Sequence, residues 1–173
     1  LTSYRVSPDG RLMAYGLAEA GSDWQEWKVL EVDAGKNLED HLKWVKFSAA
    51  EWAPDSSGFY YSRYPEPDAE TQLAGANYGQ SVYFHRVGEP QEKDVLIYER
   101  PDHVDWLFNA EVTDDGRYLV ITVRAGSSSE NGVFYKDLRD EKSQVVELLN
   151  QFDARYELVG SSESRLWFKT DSE

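Results

Sequence analysis

The chain has 173 residues, of which 40% are hydrophobic, 14% aromatic and 29% charged, with a formal net charge of -14 at pH 7. That excess of acid excludes nucleic acid as a partner, because binding a polyanion requires Lys and Arg to neutralise phosphates, and it also argues against an anionic membrane surface. The absence of cysteine excludes a disulfide scaffold and a thiolate metal site, and it agrees with the expectation of a cytoplasmic protein.

The chain opens on Leu1 rather than Met, and Lys169 to Glu173 follow directly on a strand-like stretch, so a piece of a larger protein is expected. Its first element is a hairpin: Tyr4-Arg5-Val6, the turn Ser7-Pro8-Asp9-Gly10, then Arg11-Leu12-Met13-Ala14-Tyr15. Pro presets φ at the turn, the Asp carboxylate reaches the backbone beyond it, and Gly accepts positive φ without steric cost. Glu26 to Val32 and Lys43 to Phe47 read as two further strands, rich in the aromatic and β-branched residues that suit a pleated surface. The turn returns as Pro54-Asp55-Ser56-Ser57-Gly58, between Glu51-Trp52 and Phe59-Tyr60-Tyr61. Tyr64 to Gln80, broken by Pro65, Pro67, Gly75 and Gly79, is predicted to be a long connection and the most mobile internal segment, since connections of this length are usually functional or disordered.

Strands follow at Ser81 to Val87 and Val95 to Glu99. A third copy runs Glu111-Val112-Thr113-Asp114-Asp115-Gly116-Arg117-Tyr118-Leu119-Val120-Ile121, with strands at Gly132 to Leu138 and Val145 to Leu149 behind it. A degraded fourth copy extends from Tyr156 through Ser161-Ser162 to Leu166-Trp167-Phe168. A unit of four antiparallel strands that recurs in this way is the make-up of a propeller blade. The chain is therefore predicted to be all-β, a partial β-propeller of about three and a half four-stranded antiparallel blades. The blades are expected near residues 1–47, 48–104, 105–152 and 153–173, the last incomplete. Such rings close at typically about four to eight blades, so this chain is not expected to close one by itself.

No catalytic residue is expected on the chain. A nucleophile elbow reads Gly-x-Ser-x-Gly; Gly126-Ser127-Ser128-Ser129-Glu130 and Gly160-Ser161-Ser162-Glu163-Ser164 lack the closing glycine and read as turns. His41, His85 and His103 stand far apart without a second ligand at metal-binding spacing, so neither a metal nor another cofactor is expected. His85, inside Tyr83-Phe84-His85-Arg86, is expected to be a surface or satisfied core residue.

Several segments carry a more specific signal: Gly21-Ser22-Asp23-Trp24, Leu42-Lys43-Trp44-Val45-Lys46-Phe47-Ser48, Gly58-Phe59-Tyr60-Tyr61-Ser62-Arg63-Tyr64, Tyr83-Phe84-His85 and Ala110 to Tyr118. In this order they resemble the N-terminal propeller domain of the prolyl oligopeptidase (prolyl endopeptidase) family, over essentially the whole chain. The resemblance implies a seven-bladed propeller beside an α/β-hydrolase domain that holds a Ser-Asp-His triad. It also implies cleavage of short, proline-containing oligopeptides, with the propeller excluding folded proteins from the active site. By the same resemblance Phe47, Leu107, Arg124 and Ser127 contact peptide, and Asp23 pairs across the interface with the hydrolase domain. Ser127 departs from family forms that carry a reactive cysteine there, so thiol sensitivity through this position is not expected. The 64–80 segment resembles a loop that helps to gate entry.

The expected function is thus the gating and substrate-selecting part of a serine peptidase. The alternative is a non-catalytic propeller that binds a protein or a small ligand, since a fold alone does not fix a function. Chain direction adds a geometric expectation. Successive antiparallel strands reverse, so the turns at Asp9, Asp55 and Asp115 should lie on one face, and Asp23, Phe47, Leu107 and the Arg124 to Ser127 segment on the other.

Overall fold

The computed structural model of the chain describes residues 1–19, 21–67 and 77–172. Strands β1 (Ser3–Val6), β2 (Leu12–Leu17), β3 (Gln25–Glu31) and β4 (Lys36–Val45) pair in that order, each antiparallel to the next. A second set follows: β5 (Glu51–Trp52), β6 (Gly58–Arg63), β7 (Ser81–Arg86) and β8 (Val95–Tyr98). One strand pairing, Val45 with Arg63, joins it to the first. Then come β9 (Trp106–Val112), β10 (Tyr118–Ala125), β11 (Gly132–Asp137) and β12 (Val146–Leu149), and a hairpin of β13 (Tyr156–Ser162) and β14 (Arg165–Thr170). These are three blades and the first half of a fourth, the partial propeller that the repeated turn predicts.

The core lies between blades. Trp27, Leu42 and Val45 of the first blade pack with Trp52, Phe59 and Tyr61 of the second. Val82 of the second packs with Phe108, Leu119, Ile121 and Phe134 of the third. Burying one side chain of this size stabilises by roughly 1.5–3 kcal/mol, so these clusters couple the stability of each blade to that of its neighbour.

The repeated turns do what their residues suggest. Ser7 Oγ donates to Asp9 Oδ1 at 2.7 Å, and the same carboxylate oxygen accepts the Arg11 N–H at 3.1 Å. Thr113, Asp115 and Arg117 repeat the arrangement at 2.7 and 3.1 Å. Each turn also meets the next blade: the Asp9 N–H donates to Ser56 Oγ at 3.2 Å, and Ser161 Oγ donates to Asp115 Oδ1 at 3.2 Å. Gly116 has φ +67, and a Cβ there would stand 2.6 Å from Pro54 Cγ, so both its freedom and its smallness are used.

Between the first two blades lies a buried ionic cluster. His85, on β7, is fully buried and donates from Nδ1 to Asp94 Oδ1 at 2.7 Å and from Nε2 to Asp40 Oδ1 at 2.9 Å. Two carboxylates facing both ring nitrogens require the imidazolium form. Burial alone would lower the His85 pKa, but the hydrogen bonds to Asp40 and Asp94 and their charges outweigh it and hold it at about 9. Tyr61 Oη donates to Asp94 Oδ2 at 2.5 Å, and the Gly88 N–H donates to Asp40 Oδ1 at 2.7 Å.

Two local expectations are corrected. The last strand of the first blade spans Lys36–Val45 instead of Lys43 to Phe47. Its inward positions are Leu38, Asp40 and Leu42, and a buried carboxylate in the middle hides the alternation that marks a strand. Phe47 falls outside it with φ 56. Gly160, Ser161 and Ser162 belong to β13, leaving only Glu163 and Ser164 to turn, with Glu163 at φ 55. Of the long connection, residues 68–76 lie outside the described residues, and with them the expectation of mobility. Its ends are tied down: the Tyr64 N–H donates to Trp44 O at 2.9 Å and the Gly79 N–H to Val104 O at 2.8 Å.

Candidate functional site

Strand pairing puts the five residues singled out from the sequence at one end of the blades. On β1 and β2 the pair nearest the Asp9 turn is Val6 with Met13, while Leu17 lies at the far end opposite Glu26, so Asp23, between β2 and β3, is also at the far end. On β9 and β10, Leu119 with Val112 adjoins the Asp115 turn, and Arg124 opposite Leu107 lies next to the last pair, Ala125 with Trp106, at the other end. Phe47 leaves β4 just after Val45, itself paired with Gln25 and Arg63 at that same end. The geometric expectation holds for the strand ends.

Within that end the residues form two groups. In the first, Asp23 Oδ2 accepts an ion pair from Lys46 Nζ at 3.3 Å. The Lys46 side chain is only 13% exposed, and its ammonium lies 5.6 Å from the centre of the Trp24 ring and 5.0 Å from that of Phe47. The phenyl ring of Phe47 is presented to solvent, with the residue 57% exposed. Trp24 packs edge-on against Trp44 and Tyr64 at 6.1 and 5.7 Å between ring centres. Trp44 and Phe47 both have left-handed backbone, φ 61 and 56, a conformation that costs a bulky residue about 1–2 kcal/mol and clusters at functional positions.

The second group is Leu107, Arg124 and Ser127. Leu107 and Arg124 oppose one another on β9 and β10. Arg124 is exposed, and with Ser127, Asn109, Glu111, Arg155 and Tyr156 it lines a groove of about 530 Å³ between the third blade and the last hairpin. Ser127 lies in the turn behind β10, where Gly126 has φ 57 and the Ser128 N–H donates to Ala125 O at 3.2 Å. Ser128 Oγ donates to the Glu130 carboxylate and lowers its pKa. Ser128 is thus held within this turn by its own hydrogen bonds. Among the described residues no group of three His, Cys, Asp or Glu is placed to hold a metal ion.

Two residues that sequence reasoning passed over join the groups. Lys46 is one. The other is Gln80, 2% exposed, whose Nε2 donates to Lys46 O at 2.9 Å while its Oε1 accepts the Phe108 N–H at 2.6 Å. Asn131 stands in the same place one blade on, directly before the third strand, and its Oδ1 accepts the Tyr156 N–H at 2.8 Å. That shared position, an amide residue just ahead of the third strand, is the signal that was present in the sequence.

Comparison with known proteins matches the chain along its whole length. The family model described as "Prolyl oligopeptidase, N-terminal beta-propeller domain" matches residues 1–173. A prolyl oligopeptidase of Omphalotus olearius is 33% identical over 99% of this chain and 25% of its own length. A prolyl endopeptidase of Elizabethkingia meningoseptica is 34% identical over 100% of this chain and 24% of its own. Among solved structures, one from a study of two prolyl endopeptidases superposes with a TM-score of 0.87 at 36% identity, covering 97% of this chain and 24% of that one. Prolyl oligopeptidase B of Galerina marginata, bound to a 35mer hydrolysis and macrocyclization substrate, superposes with a TM-score of 0.88 at 28% identity, covering 98% of this chain and 25% of that one. The chain spans about a quarter of the length of these relatives.

Proposed function

The chain belongs to the prolyl oligopeptidase family, as a portion of its N-terminal β-propeller domain, and on that premise we propose that it is a gating and substrate-selecting portion of a serine peptidase cleaving short peptides after proline. In this reading the strand ends that carry Asp23, Phe47, Leu107, Arg124 and Ser127 face a hydrolase domain on the same polypeptide. Asp23 supplies a carboxylate to the domain interface. Phe47 and Leu107 offer apolar contact to the peptide, and Arg124 with Ser127 offers hydrogen bonds in the polar groove.

The observation that supports this reading most is that chain direction gathers all five residues at one end of the blades, opposite the Asp9 and Asp115 turns. The exposure of Phe47, against the tendency of aromatic side chains to be buried, agrees with it. The chemistry would come from elsewhere on the polypeptide, since this chain has no Gly-x-Ser-x-Gly elbow.

The test is turnover of a prolyl reporter peptide. The full-length protein is expected to cleave it and to lose activity to a serine-directed inhibitor, while the 173-residue chain alone is expected to show no turnover. Inhibitor-sensitive cleavage by the chain alone, or none by the full-length protein, would reject the reading.

A further inference from the structure

Gln80 is almost fully buried and uses both ends of its amide across two blade boundaries. The donor end holds Lys46 O, one residue before Phe47 on the crossing from the first blade to the second, at 2.9 Å. The acceptor end takes the Phe108 N–H, one residue after Leu107 on the third blade, at 2.6 Å. One side chain thus sets the distance between the backbone that carries Phe47 and the backbone that carries Leu107. Neither bond depends on what side chain either neighbour has.

Lys46 extends the connection. Its carbonyl is the group that Gln80 holds, while its ammonium lies over the Phe47 ring at 5.0 Å and pairs with Asp23 at 3.3 Å. The ring of Phe47, in an unfavourable left-handed backbone conformation, therefore has its backbone tied to Gln80 and its face to the Lys46 charge. Few other described contacts fix it, since it is largely exposed.

We propose that Gln80 and Lys46 act together as one positioning strut, which fixes the spacing of Phe47 and Leu107 for peptides long enough to reach both and links that spacing to Asp23. The proposal rests on the reading of Phe47 and Leu107 as peptide contacts. Both hydrogen bonds of Gln80 are spent on main-chain groups of this chain. The strut should therefore act on how extended substrates bind and leave the chemical step alone.

The test uses the full-length peptidase with two reporters, a short one ending at the prolyl bond and one extended toward the N-terminus by several residues. In Gln80→Asn, which keeps the amide but shortens its reach, the KM for the extended reporter is expected to rise about tenfold, the consequence of losing buried hydrogen bonds. The short reporter's KM and both kcat values should change less than about twofold. Lys46→Met is expected to shift the extended KM in the same direction, and the double variant should be no worse than the larger single, as for two residues of one unit. Trp52→Phe removes an interblade hydrogen bond of 3.0 Å to Arg5 O near the opposite strand ends. It should lower the melting temperature without altering the ratio of the two KM values.

Equal losses on both reporters, additive effects, or no effect of Gln80→Asn beside a length-dependent Phe47→Ala would overturn the strut alone. A Phe47→Ala variant indifferent to substrate length would overturn the site reading, and the strut with it.

Discussion

His85 is the residue where burial and charge conflict most directly. Its imidazolium is held between Asp40 and Asp94 without solvent, and its pKa is about 9 against an ordinary 6.5. A raised pKa stabilises the folded chain fully below the unfolded value, and the contribution is lost as pH rises through the folded one. Urea midpoints are therefore expected to fall between about pH 7 and pH 10, by a free energy on the order of a few kcal/mol. His85→Gln should start lower at pH 7 and lack this fall; a wild-type midpoint flat across the window would reject the assignment. Gly58 makes a second residue-scale case. A Cβ there would lie 2.0 Å from the His85 carbonyl oxygen, an overlap that only backbone movement relieves. Gly58→Ala is expected to destabilise by about 3 kcal/mol or more, measured by denaturant unfolding. Neither result was legible in the sequence. The His85 strand reads plainly, but nothing local says that Asp40, 45 positions away, completes its site.

The hairpins were readable as elements because all their causes are local. An aspartate at the same place in each copy specifies the turn, and the bonds it accepts from the N–H two residues on, at Asp9, Asp55 and Asp115, confirm the chemistry. The β4 strand was misplaced because an inward Asp40 reads as a break, although in the fold it is a partnered core residue. Phe47, Leu107 and Arg124 came from family resemblance, and pairing put them at one end. Gln80 and Asn131 escaped notice since their partners are backbone groups, and a backbone group leaves no mark in a sequence. Asn131 gives an element-scale prediction. Its amide accepts the Tyr156 N–H at 2.8 Å and donates to Tyr156 O at 3.2 Å, joining the third blade to the last hairpin. Asn131→Ala is expected to cost about 2–3 kcal/mol, with the loss of protection concentrated in β13 and β14 by hydrogen exchange. Uniform loss over all blades would contradict this.

At the scale of the molecule, its seams are held by apolar clusters and, at their margins, by a few side chains addressed to the neighbouring main chain. Gln80 meets the Phe108 N–H, Ser62 meets Phe108 O, Asn131 meets Tyr156, and Trp52 meets Arg5 O. A main-chain acceptor or donor is the same whichever residue presents it. The exposed end of a blade can therefore change its side chains, even at positions flanking these bonds, without the adjoining blade having to change in concert. Variation of the exposed surface and permanence of architecture are in this way assigned to different atoms of the same residues, the former to what projects beyond Cα and the latter to the amides beneath.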